Sequence, residues 1–397
     1  MTAVPIWTSY DFFVPAFEVR VKGRGLPGDA VGDVLSVSYT DSLDKLDSCQ
    51  ITLTNWDEER RDFKYTGDPA RAPVDFRLGT EVELWMGYRD RGGLTLMLRG
   101  EVVSVAPDFP AGGQPTVQVR ILNKLYKLHF KQETRAFQDR TDSQIADQIV
   151  QKLAQDLSAR ASTAGSPPLN LTLQTSPQNT SIERPHAYIL LRGEYPIVFL
   201  MERARHNGYD LYVEEDPNTR ETKLHFHPPD RGVPAAYELV WGESLISFKP
   251  TLRTKEQVST VVVRGWDPAK KEAFEGKATL DDLDRGLLET AELAAADSAL
   301  AGSEVVITDE FVQDKQEAEQ KALGHLRDGV KDLVTGSGTT VGLPELRAGQ
   351  PAHIGKLGPV FSGRYLVTSS THAIGDGGYT TQFEARMEQP DDAGGNP

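Results

Sequence analysis

The stretch LTLMLRGEVVSVAPDFPAGGQPTVQVRIL, residues 94–122, contains two runs rich in apolar and β-branched residues around a Gly112-Gly113 turn. Two such runs joined by a glycine turn are typical of a β-hairpin. Similar runs precede it in the first third of the chain, at residues 12–23, 34–40, 49–56 and 81–88. Short strands separated by turns indicate a sandwich or a small barrel rather than a parallel sheet.

The last third of the chain returns to strands and carries a weak copy of this hairpin. Residues 361–386, FSGRYLVTSSTHAIGDGGYTTQFEAR, share with residues 98–120 a glycine in third place, a paired-glycine turn and a final arginine. Hairpins with glycine turns resemble one another for generic reasons, so chance similarity is one interpretation. The other is a duplicated barrel, which would let three chains present six similar units to a six-fold tube.

The middle of the chain mixes helices with short strands. A capping-box pattern at residues 141–144 precedes apolar residues at every fourth position, which predicts an amphipathic helix. A second helix is expected between Pro196 and Gly208, because proline favours the first turn and glycine the position after the last. Residues 158–185 are rich in Ser, Thr and Pro and are interpreted mainly as an exposed loop. The apolar positions of the first helix are Ile145, Ile149, Leu153 and Leu157.

The composition argues against several classes of protein. The formal net charge of −15 disfavours a nucleic-acid-binding surface, and it would make any channel lined by the chain repel polyanions. No apolar run approaches the roughly 20 residues of a membrane-spanning helix, and the N-terminus does not read as a secretory signal. Cys49 is the only cysteine, so neither an intrachain disulfide nor a cysteine zinc cluster is expected. Synthesis in a reducing cytoplasm fits this usage.

His225 and His227 are the candidates for metal ligands, because alternate positions put both imidazoles on one face of a strand. The nearest carboxylate is Asp230, and no third ligand is evident. A hairpin with Phe226 towards the core and both histidines outwards is therefore favoured over a metal site.

Acidic pairs such as Glu214-Glu215 and Asp281-Asp282 are candidates for the two carboxylates of a glycosidase, although solvated faces or loops are the favoured interpretation. The sequence contains no serine-nucleophile elbow, no HEXXH zinc-protease motif and no phosphate-binding loop motif. We therefore expect no catalytic, cofactor-binding or metal-binding residues, and no enzyme.

Two tryptophan-containing strings are the most distinctive local features, Asn-Trp-Asp at 55–57 and Trp-Asp-Pro at 266–268. Tryptophan is enriched at the centres of interfaces, but packing at a strand end is the favoured interpretation. Cys49 lies in a predicted strand and is expected to be a small buried hydrophobe. A further helix is predicted near 313–327, where alanines and leucines form one packing face.

Segments spread in order along almost the whole chain carry a family resemblance. They are SYTDSLDKLDSCQITLTNWD (38–57), LGTEVELWMGY (78–88), LRGEVVSVAPDFPAGGQPTVQVRILNKLYKL (98–128), RTDSQIADQIVQKLA (140–154), FLMERARHNGYDLYVEED (199–216), STVVVRGWDPAKKEAFEG (259–276) and QEAEQKALGHL (316–326). The sequence resembles the phage late control protein D family, the tail-hub proteins of contractile phages. It is also similar to the hub portion of type VI secretion spike proteins.

The resemblance implies a mainly β fold with an α+β middle, in which two tube-like β-barrels flank a mixed α/β domain. We expect the first barrel at 1–132, the middle domain at 133–235 and the second barrel at 236–390, with an acidic and helical insertion at about 268–330. Residues 391–397 are expected to form a disordered tail.

The resemblance also implies a homotrimeric structural hub that adapts a trimeric spike to a hexameric inner tube. Its partners would be the inner tube protein, other baseplate proteins and a separate spike protein, since no spike segments follow the hub here. It would be made in the cytoplasm and built into the baseplate of a phage tail or injection particle. The alternatives are a tail-associated cell-wall hydrolase, and a module that binds an effector or receptor through residues 158–185 or 275–303.

Overall fold

The computed structural model describes most of the chain. The described residues are 4–5, 12, 14–89, 93–129, 131–164, 170–177, 179, 183–216, 219, 221–228, 235, 237–253, 259–267, 270–283, 289, 303–309, 312 and 314–391. Strands dominate these ranges, which confirms the predicted mainly β fold class. None of the helices within them combines the length and the apolar character that crossing a membrane requires.

The first third of the chain folds almost entirely as strands. Its elements are β1 (Val4–Pro5), β2 (Pro15–Val21), β3 (Arg24–Gly25), α1 (Gly28–Asp33), β4 (Val34–Ser42), β5 (Ser48–Thr54), β6 (Trp56–Asp57), β7 (Asp62–Phe63), β8 (Glu81–Tyr88), β9 (Leu94–Asp108) and β10 (Thr116–Asn123). In β10, Val117, Val119 and Ile121 are buried while Gln118 is exposed. The alternation arises because successive side chains of a strand point to opposite faces of the sheet.

The middle of the chain contains two long helices between short strands. Its elements are β11 (Glu133–Phe137), α2 (Asp142–Ala164), β12 (Asn170–Gln174), β13 (Ile189–Glu194), α3 (Pro196–Asn207), β14 (Asp210–Glu215) and β15 (Glu221–His227). The predicted capping box forms, because the backbone N–H groups of Thr141 and Gln144 each donate to the other residue's side chain, at 3.2 and 3.3 Å. Gly208 ends α3 in the left-handed conformation, with φ 66°. We call β11–β15 with α2 and α3 the middle domain.

The interpretation of residues 158–185 as mainly an exposed loop is wrong. The helix α2 continues to Ala164, and residues 170–174 form β12, which pairs in parallel with β15. Leu171 is only 7% exposed and packs into the core of the middle domain, so apolar burial outweighs the polar composition around it. Residues 165–169, 178 and 180–182 lie outside the described part of the chain.

The last third returns to strands and contains one long helix. Its elements are β16 (Tyr237–Val240), β17 (Leu245–Leu252), β18 (Thr260–Asp267), β19 (Glu272–Thr279), β20 (Glu304–Ile307), α4 (Lys315–Lys331), β21 (Val334–Val341), β22 (Pro351–Gly355), β23 (Gly363–Gly375) and β24 (Gly378–Pro390). The predicted helix near 313–327 forms as α4, and the Asp314 carboxylate caps it by accepting from the Glu317 N–H at 2.8 Å. Residues 392–397 of the expected tail, and 284–288 and 290–302 of the acidic stretch, lie outside the described residues.

The strands of the first and last thirds form one sheet. β4 pairs antiparallel with β23, with Thr40 opposite Thr371. β23 is long enough to take two neighbours on one side, because β22 pairs with its first residues and β4 with residues 369–374. The described strands continue across the joint, and their hydrogen-bonded order closes no barrel, so the two tube-like barrels and their bounds stay a prediction.

Both thirds repeat the same strand order within this sheet. The first module, as we call it, runs β4-β5-β10-β9-β8-β2, and the second runs β17-β21-β24-β23-β22-β16. The hairpins compared in the sequence occupy matching places, since Arg120 lies opposite Gln50 of β5 and Arg386 lies opposite Thr335 of β21. The weak sequence similarity therefore corresponds to a repeated strand order, although β2 pairs antiparallel with β8 whereas its counterpart β16 pairs parallel with β22.

The modules differ in what their connections carry. Between β17 and β21 lies an insertion, residues 253–333, which contains β18–β20 and α4. The first module has only residues 43–47 at the corresponding place, between β4 and β5. Conversely, the first module carries residues 55–80 between β5 and β8, where the second has residues 342–350. The repeat is therefore confined to the strands.

Candidate assembly interface

A buried polar network lies under the joint between the modules. The Asp41 carboxylate accepts from the Ser370 hydroxyl and from the guanidinium of Arg347, which also donates to the Tyr39 hydroxyl. The Arg347 guanidinium lies over the Tyr39 ring, 4.4 Å from its centroid, and donates to the Met97 carbonyl at 3.2 Å. One arginine from the connection before β22 therefore binds two strands of the first module, β4 and β9.

His372 extends this network as a neutral ring. It is fully buried, and burial lowers its pKa to about 3. Its Nε2 lies 2.9 Å from Ser370 Oγ, and its Nδ1 lies 3.1 Å from the hydroxyls of Tyr379 and Thr381. Because Ser370 donates to Asp41, the ring donates from Nε2 and accepts at Nδ1. Although hydrolases also combine Ser, His and Asp, this hydroxyl is committed to Asp41 and only 1% exposed, so it offers no nucleophile to a substrate.

The strand β14 connects the two modules through buried ion pairs. Asp210, at its start, binds Arg386 of the second module at 3.1 and 3.2 Å. Glu215, at its end, lies 3.5 Å from Arg99 of the first module. All four side chains are at most 7% exposed. Each arginine also binds an acid of its own module: Glu388 for Arg386 at 2.8 Å, and Glu83 for Arg99 at 3.1 Å.

The junction contains more buried acids than arginines. Burial, with Asp41 nearby, raises the pKa of Asp47 to about 8. Burial also raises the pKa of Glu215 to about 7, and the nearby Arg99 guanidinium offsets the effect of burial only in part. The acids are Asp41, Asp47, Glu83, Asp210, Glu215 and Glu388, and the arginines are Arg99, Arg347 and Arg386.

Asp47 and Glu215 are expected to make the free energy of unfolding fall as the pH rises from about 5 to about 8, whereas the buried neutral His372 acts in the opposite direction below about pH 6.5. In this range the folded chain keeps protons on Asp47 and Glu215 that unfolded carboxylates, with pKa values near 4, have released. Each group lowers the unfolding free energy by about 1.4 kcal/mol per pH unit while it is protonated only in the folded state. Urea unfolding at several pH values and one protein concentration measures this slope.

The variants Asp47→Asn and Glu215→Gln are expected to flatten this pH dependence, because each removes one titrating carboxyl. Asp376→Asn is the matched control, since Asp376 is exposed in the turn between β23 and β24. A double Asp47→Asn, Glu215→Gln variant whose stability falls from pH 5 to pH 8 as steeply as that of the wild type would contradict this assignment.

Two strand edges of the joined sheet carry no ladder partner among the described residues. β9 pairs with β8 as far as Glu101, and Val102 still exchanges backbone hydrogen bonds with Gly79 and Thr80. Residues 103–108 of β9 have no ladder partner on that side among the described residues. β17 pairs with β21, and apart from an isolated bridge between Leu245 and Trp241 it has no other ladder partner within the described part of the chain; its Ile246 is 60% exposed. Pro107 and Pro250 lie on these two strands, as is typical of edges, because proline lacks the N–H that a ladder needs. Both edges are therefore open for further pairing.

One face of the sheet is lined by small uncharged polar residues. In register across six neighbouring strands lie Ser48, Thr40, Thr371, Gln382, Thr339 and Ser247. The concavity beside this row has a volume of about 610 Å³, and its charged residues are Asp44, Lys45, Lys249 and Glu384. These charges balance, so this face has no acidic excess that would repel a polyanion, unlike the molecule as a whole.

The predicted metal candidates do come together. His225 Nδ1 lies 3.2 Å from His227 Nε2, and His225 Nε2 lies 2.8 Å from the Glu214 carboxylate. Phe226 is fully buried, as the hairpin interpretation predicted. Asp230 lies outside the described residues, and no group of three or more potential ligands within them is arranged for a metal ion.

The remaining candidates are divided between surface and core. Glu215 is buried, so its interpretation as a solvated residue is wrong, whereas Asp282 lies in an exposed turn and accepts from the Thr279 N–H at 2.8 Å.

Trp266 is 59% exposed at the end of β18. Trp56 packs edge-on against Phe63, with ring centroids 5.5 Å apart. Cys49 is 1% exposed, as expected for a small buried hydrophobe, and burial raises the pKa of its thiol.

The charged residues of the junction were not found from the sequence. Arg99, Arg347 and Arg386 stand in strand or connecting segments whose local pattern does not distinguish a buried arginine from an exposed one. The available signal was the final arginine of the second hairpin copy, Arg386, whose counterpart Arg120 is exposed. The difference arises because the middle domain supplies Asp210 to only one of them.

A protein-family model described as the Alg8 N-terminal domain matches residues 13–172 and 198–376 of the chain. These ranges include most strands of both modules and most of the middle domain. No curated protein sequence matches the chain.

Solved structures of tail proteins share the fold. The 43 kDa tail protein of prophage MuSo2 from Shewanella oneidensis is 13% identical, with a TM-score of 0.64 over 94% of this chain and 98% of that one. A tail protein from Neisseria meningitidis is 12% identical, with a TM-score of 0.60 over 95% and 97%. An Escherichia coli component of the type VI secretion system, structurally similar to the T4 tail proteins gp27 and gp5, is 13% identical, with a TM-score of 0.55 over 96% and 79%.

These likenesses establish the fold, because the identities are low while the coverage is nearly complete. They agree with the predicted relation to phage-tail and type VI secretion proteins, whereas membership of the late control protein D family stays a prediction. The chain belongs to the family described as the Alg8 N-terminal domain, and it has the fold of phage tail proteins.

Proposed function

We propose that the chain is a structural hub of a contractile tail or contractile injection particle, in which three copies form a ring. The ring would join a trimeric spike to a hexameric inner tube. The observation that carries this proposal is the repeated strand order of the two modules. The modules are joined by the pairing of β4 with β23, and the corresponding edges of β17 and β9 have no such partner within the described chain. Tail-protein folds among the similar structures support a role in such a particle.

The joint inside one chain suggests how neighbouring chains would meet. β4 of the first module pairs with β23 of the second, and the topological counterparts of these strands are β17 and β9. If β17 of one copy pairs with the free part of β9 of the next, every module in the ring has the same kind of neighbour. Three copies would then close a ring of six modules in which each module is joined to the next by the same kind of strand pairing.

The ladder registers predict which residues would face each other across this contact. Thr251 lies opposite Thr335, which pairs with Arg386. In the first module Ser38 lies opposite Gln50, which pairs with Arg120, so Thr251 and Ser38 occupy corresponding positions. Two residues further on, Arg253 corresponds to Thr40, and on the other edge Asp108 corresponds to Thr371. Since Thr40 and Thr371 bond through their hydroxyls at 3.0 Å, an Asp108–Arg253 ion pair between copies would take the same place.

Cysteines introduced by Asp108→Cys and Arg253→Cys in one chain are expected to form a disulfide between copies under mild oxidation. Facing residues of paired strands lie within disulfide reach, and the native Cys49 is buried and does not interfere. Denaturing electrophoresis should show covalent dimers and trimers, and mass measurement of the wild type should show three copies.

The combination Asp68→Cys with Arg253→Cys is the matched control, because Asp68 is also exposed but lies in the connection between β5 and β8. This control should give no covalent dimers or trimers on the gel. A strictly monomeric wild type at all concentrations, together with no cross-link for the Asp108 and Arg253 pair, would refute the ring.

In this proposal the chain works by geometry and not by a chemical reaction. Its binding free energy would come from interface burial, which in obligate assemblies covers about 2,000–5,000 Å². The partners would be two further copies, the inner tube protein, a separate spike protein and other baseplate proteins. The chain would be made in the cytoplasm and built into the particle.

A further inference from the structure

A cavity separates the middle domain from the insertion where α3 and α4 cross. The helices approach closely there, because Gly324 of α4 lies against the backbone carbonyl of His206. Beside this crossing the cavity has a volume of about 280 Å³. Its lining includes charged side chains from α2, α3, α4 and the segment before β13. A cavity of this size accommodates one side chain or one chain terminus rather than a folded partner.

The acids that line this cavity already have partners. Asp142 accepts two hydrogen bonds from Arg203, at 2.6 and 2.9 Å, and a third from Asn207 at 2.8 Å. Glu183 accepts from the Ser143 hydroxyl at 2.5 Å and from its backbone N–H at 2.8 Å. The other two acids of the lining are Asp314, which accepts from the Glu317 N–H, and Glu317, whose carboxylate lies 4.0 Å from the Lys321 ammonium. Each of the four acids therefore has a polar partner.

Arg327 is the exception among the charged residues of the lining. Its Nε is buried and has no hydrogen-bond partner, and no acid within the described residues forms an ion pair with it. Burial lowers the pKa of this guanidinium, and the neighbouring Tyr209 hydroxyl supplies no counter-charge at neutral pH. Arg184 stands on the same lining, exposed and likewise without an ion pair. A partly buried guanidinium without a counter-ion is unfavourable, so the site favours an anion.

We propose that this cavity binds a carboxylate of a protein partner, either a chain terminus or an acidic side chain, through the Arg327 guanidinium. A guanidinium matches a carboxylate with two parallel hydrogen bonds. A phosphate-bearing polymer fits less well, because the net charge of the chain is −15 and because Asp142 and Glu183 stand on the same lining. The site lies apart from both free sheet edges and does not depend on the ring.

Calorimetric titration of the full-length protein tests this site. The probes are N-acetyl-trialanine with a free carboxylate, the same peptide as its amide, and inorganic phosphate. We expect the carboxylate peptide to bind, the amide not to bind, and phosphate to bind more weakly than the carboxylate. Arg327→Met should weaken binding of the carboxylate peptide about tenfold or more, and Arg327→Lys should weaken it less. Arg77→Met is the matched control and should change nothing, since Arg77 is exposed and pairs with Asp75.

Thermal unfolding supplies a second measurement that does not need a ligand. Arg327→Met should leave the unligated protein at least as stable as the wild type, because it removes an uncompensated charge. The carboxylate peptide should raise the unfolding temperature of the wild type but not of this variant. Failure of the peptide to bind, equal binding of its amide, tighter binding of phosphate or unchanged binding by Arg327→Met would each overturn the proposal.

Discussion

Replacing Arg386 by methionine is expected to lower the free energy of unfolding by about 3–5 kcal/mol. The variant removes a guanidinium that binds both Asp210 and Glu388, and all three side chains are at most 7% exposed. Two carboxylates would remain in a site that water does not reach, and leaving a buried charge without its partner is far more costly than removing the whole network. Urea unfolding at constant pH and protein concentration measures the change.

The control for this prediction removes one of the buried carboxylates together with the arginine, so that the net charge stays that of the wild type although the ion pair is lost. Asp210→Asn combined with Arg386→Met should recover part of the lost stability, because one of the two stranded charges is gone. Arg77→Met removes an exposed arginine that pairs with Asp75, so its effect should be small. If Arg386→Met were as mild as Arg77→Met, the ion pairs at β14 would not hold the modules together.

Alanine at Gly100 is expected to cost about 3 kcal/mol, at the upper end of what overpacking usually costs. A Cβ on this residue would collide with the carbonyl of Leu122 on the paired strand, and a backbone carbonyl cannot move aside as a flexible side chain can. Gly363 occupies the matching place in the second module, where a Cβ would collide with the carbonyl of Gln389. Gly363→Ala should therefore destabilise by a similar amount.

Gly32→Ala provides the matched control, because Gly32 lies in α1 and a Cβ there would meet nothing within 4 Å. Alanine is favoured over glycine in a helix by about 1 kcal/mol, so this variant should be neutral or slightly more stable. Equal effects at Gly100 and Gly32 would show that the close approach of β9 and β10 tolerates a side chain. A mild effect at Gly363 alone would mean that the two modules are not packed alike at this point.

Local patterns in the sequence predicted the individual elements well. The alternation around Val117 and Val119 gave a strand, and the capping box at Thr141 gave the start of a helix. These signals are local, since each depends on residues within about one turn or one strand of each other. The repeat of the hairpin could also be predicted from the sequence, because both copies have a glycine in third place. In the structure these glycines lie where the backbone of the neighbouring strand leaves no room for a Cβ.

Local sequence patterns could not predict the pairing of β4 with β23 or the buried charged residues around it. Asp41 and Ser370 form one hydrogen bond although 329 positions separate them, and nothing near either residue indicates the other. Glu215 was assigned to solvent because adjacent acids are usually exposed, yet β14 turns its two glutamates to opposite sides. β12 was missed for the same reason, since its burial depends on β15 and not on its own polar neighbours.

The length of β14 sets the spacing between its two ends. Asp210 and Glu215 are five steps apart along an extended strand, about 17 Å, and an odd number of steps directs their side chains to opposite sides. An added residue between them would turn both carboxylates to the same side, leaving one of the two arginines stranded. The number of residues in β14, and not only their chemistry, therefore decides whether one strand can bind an arginine of each module.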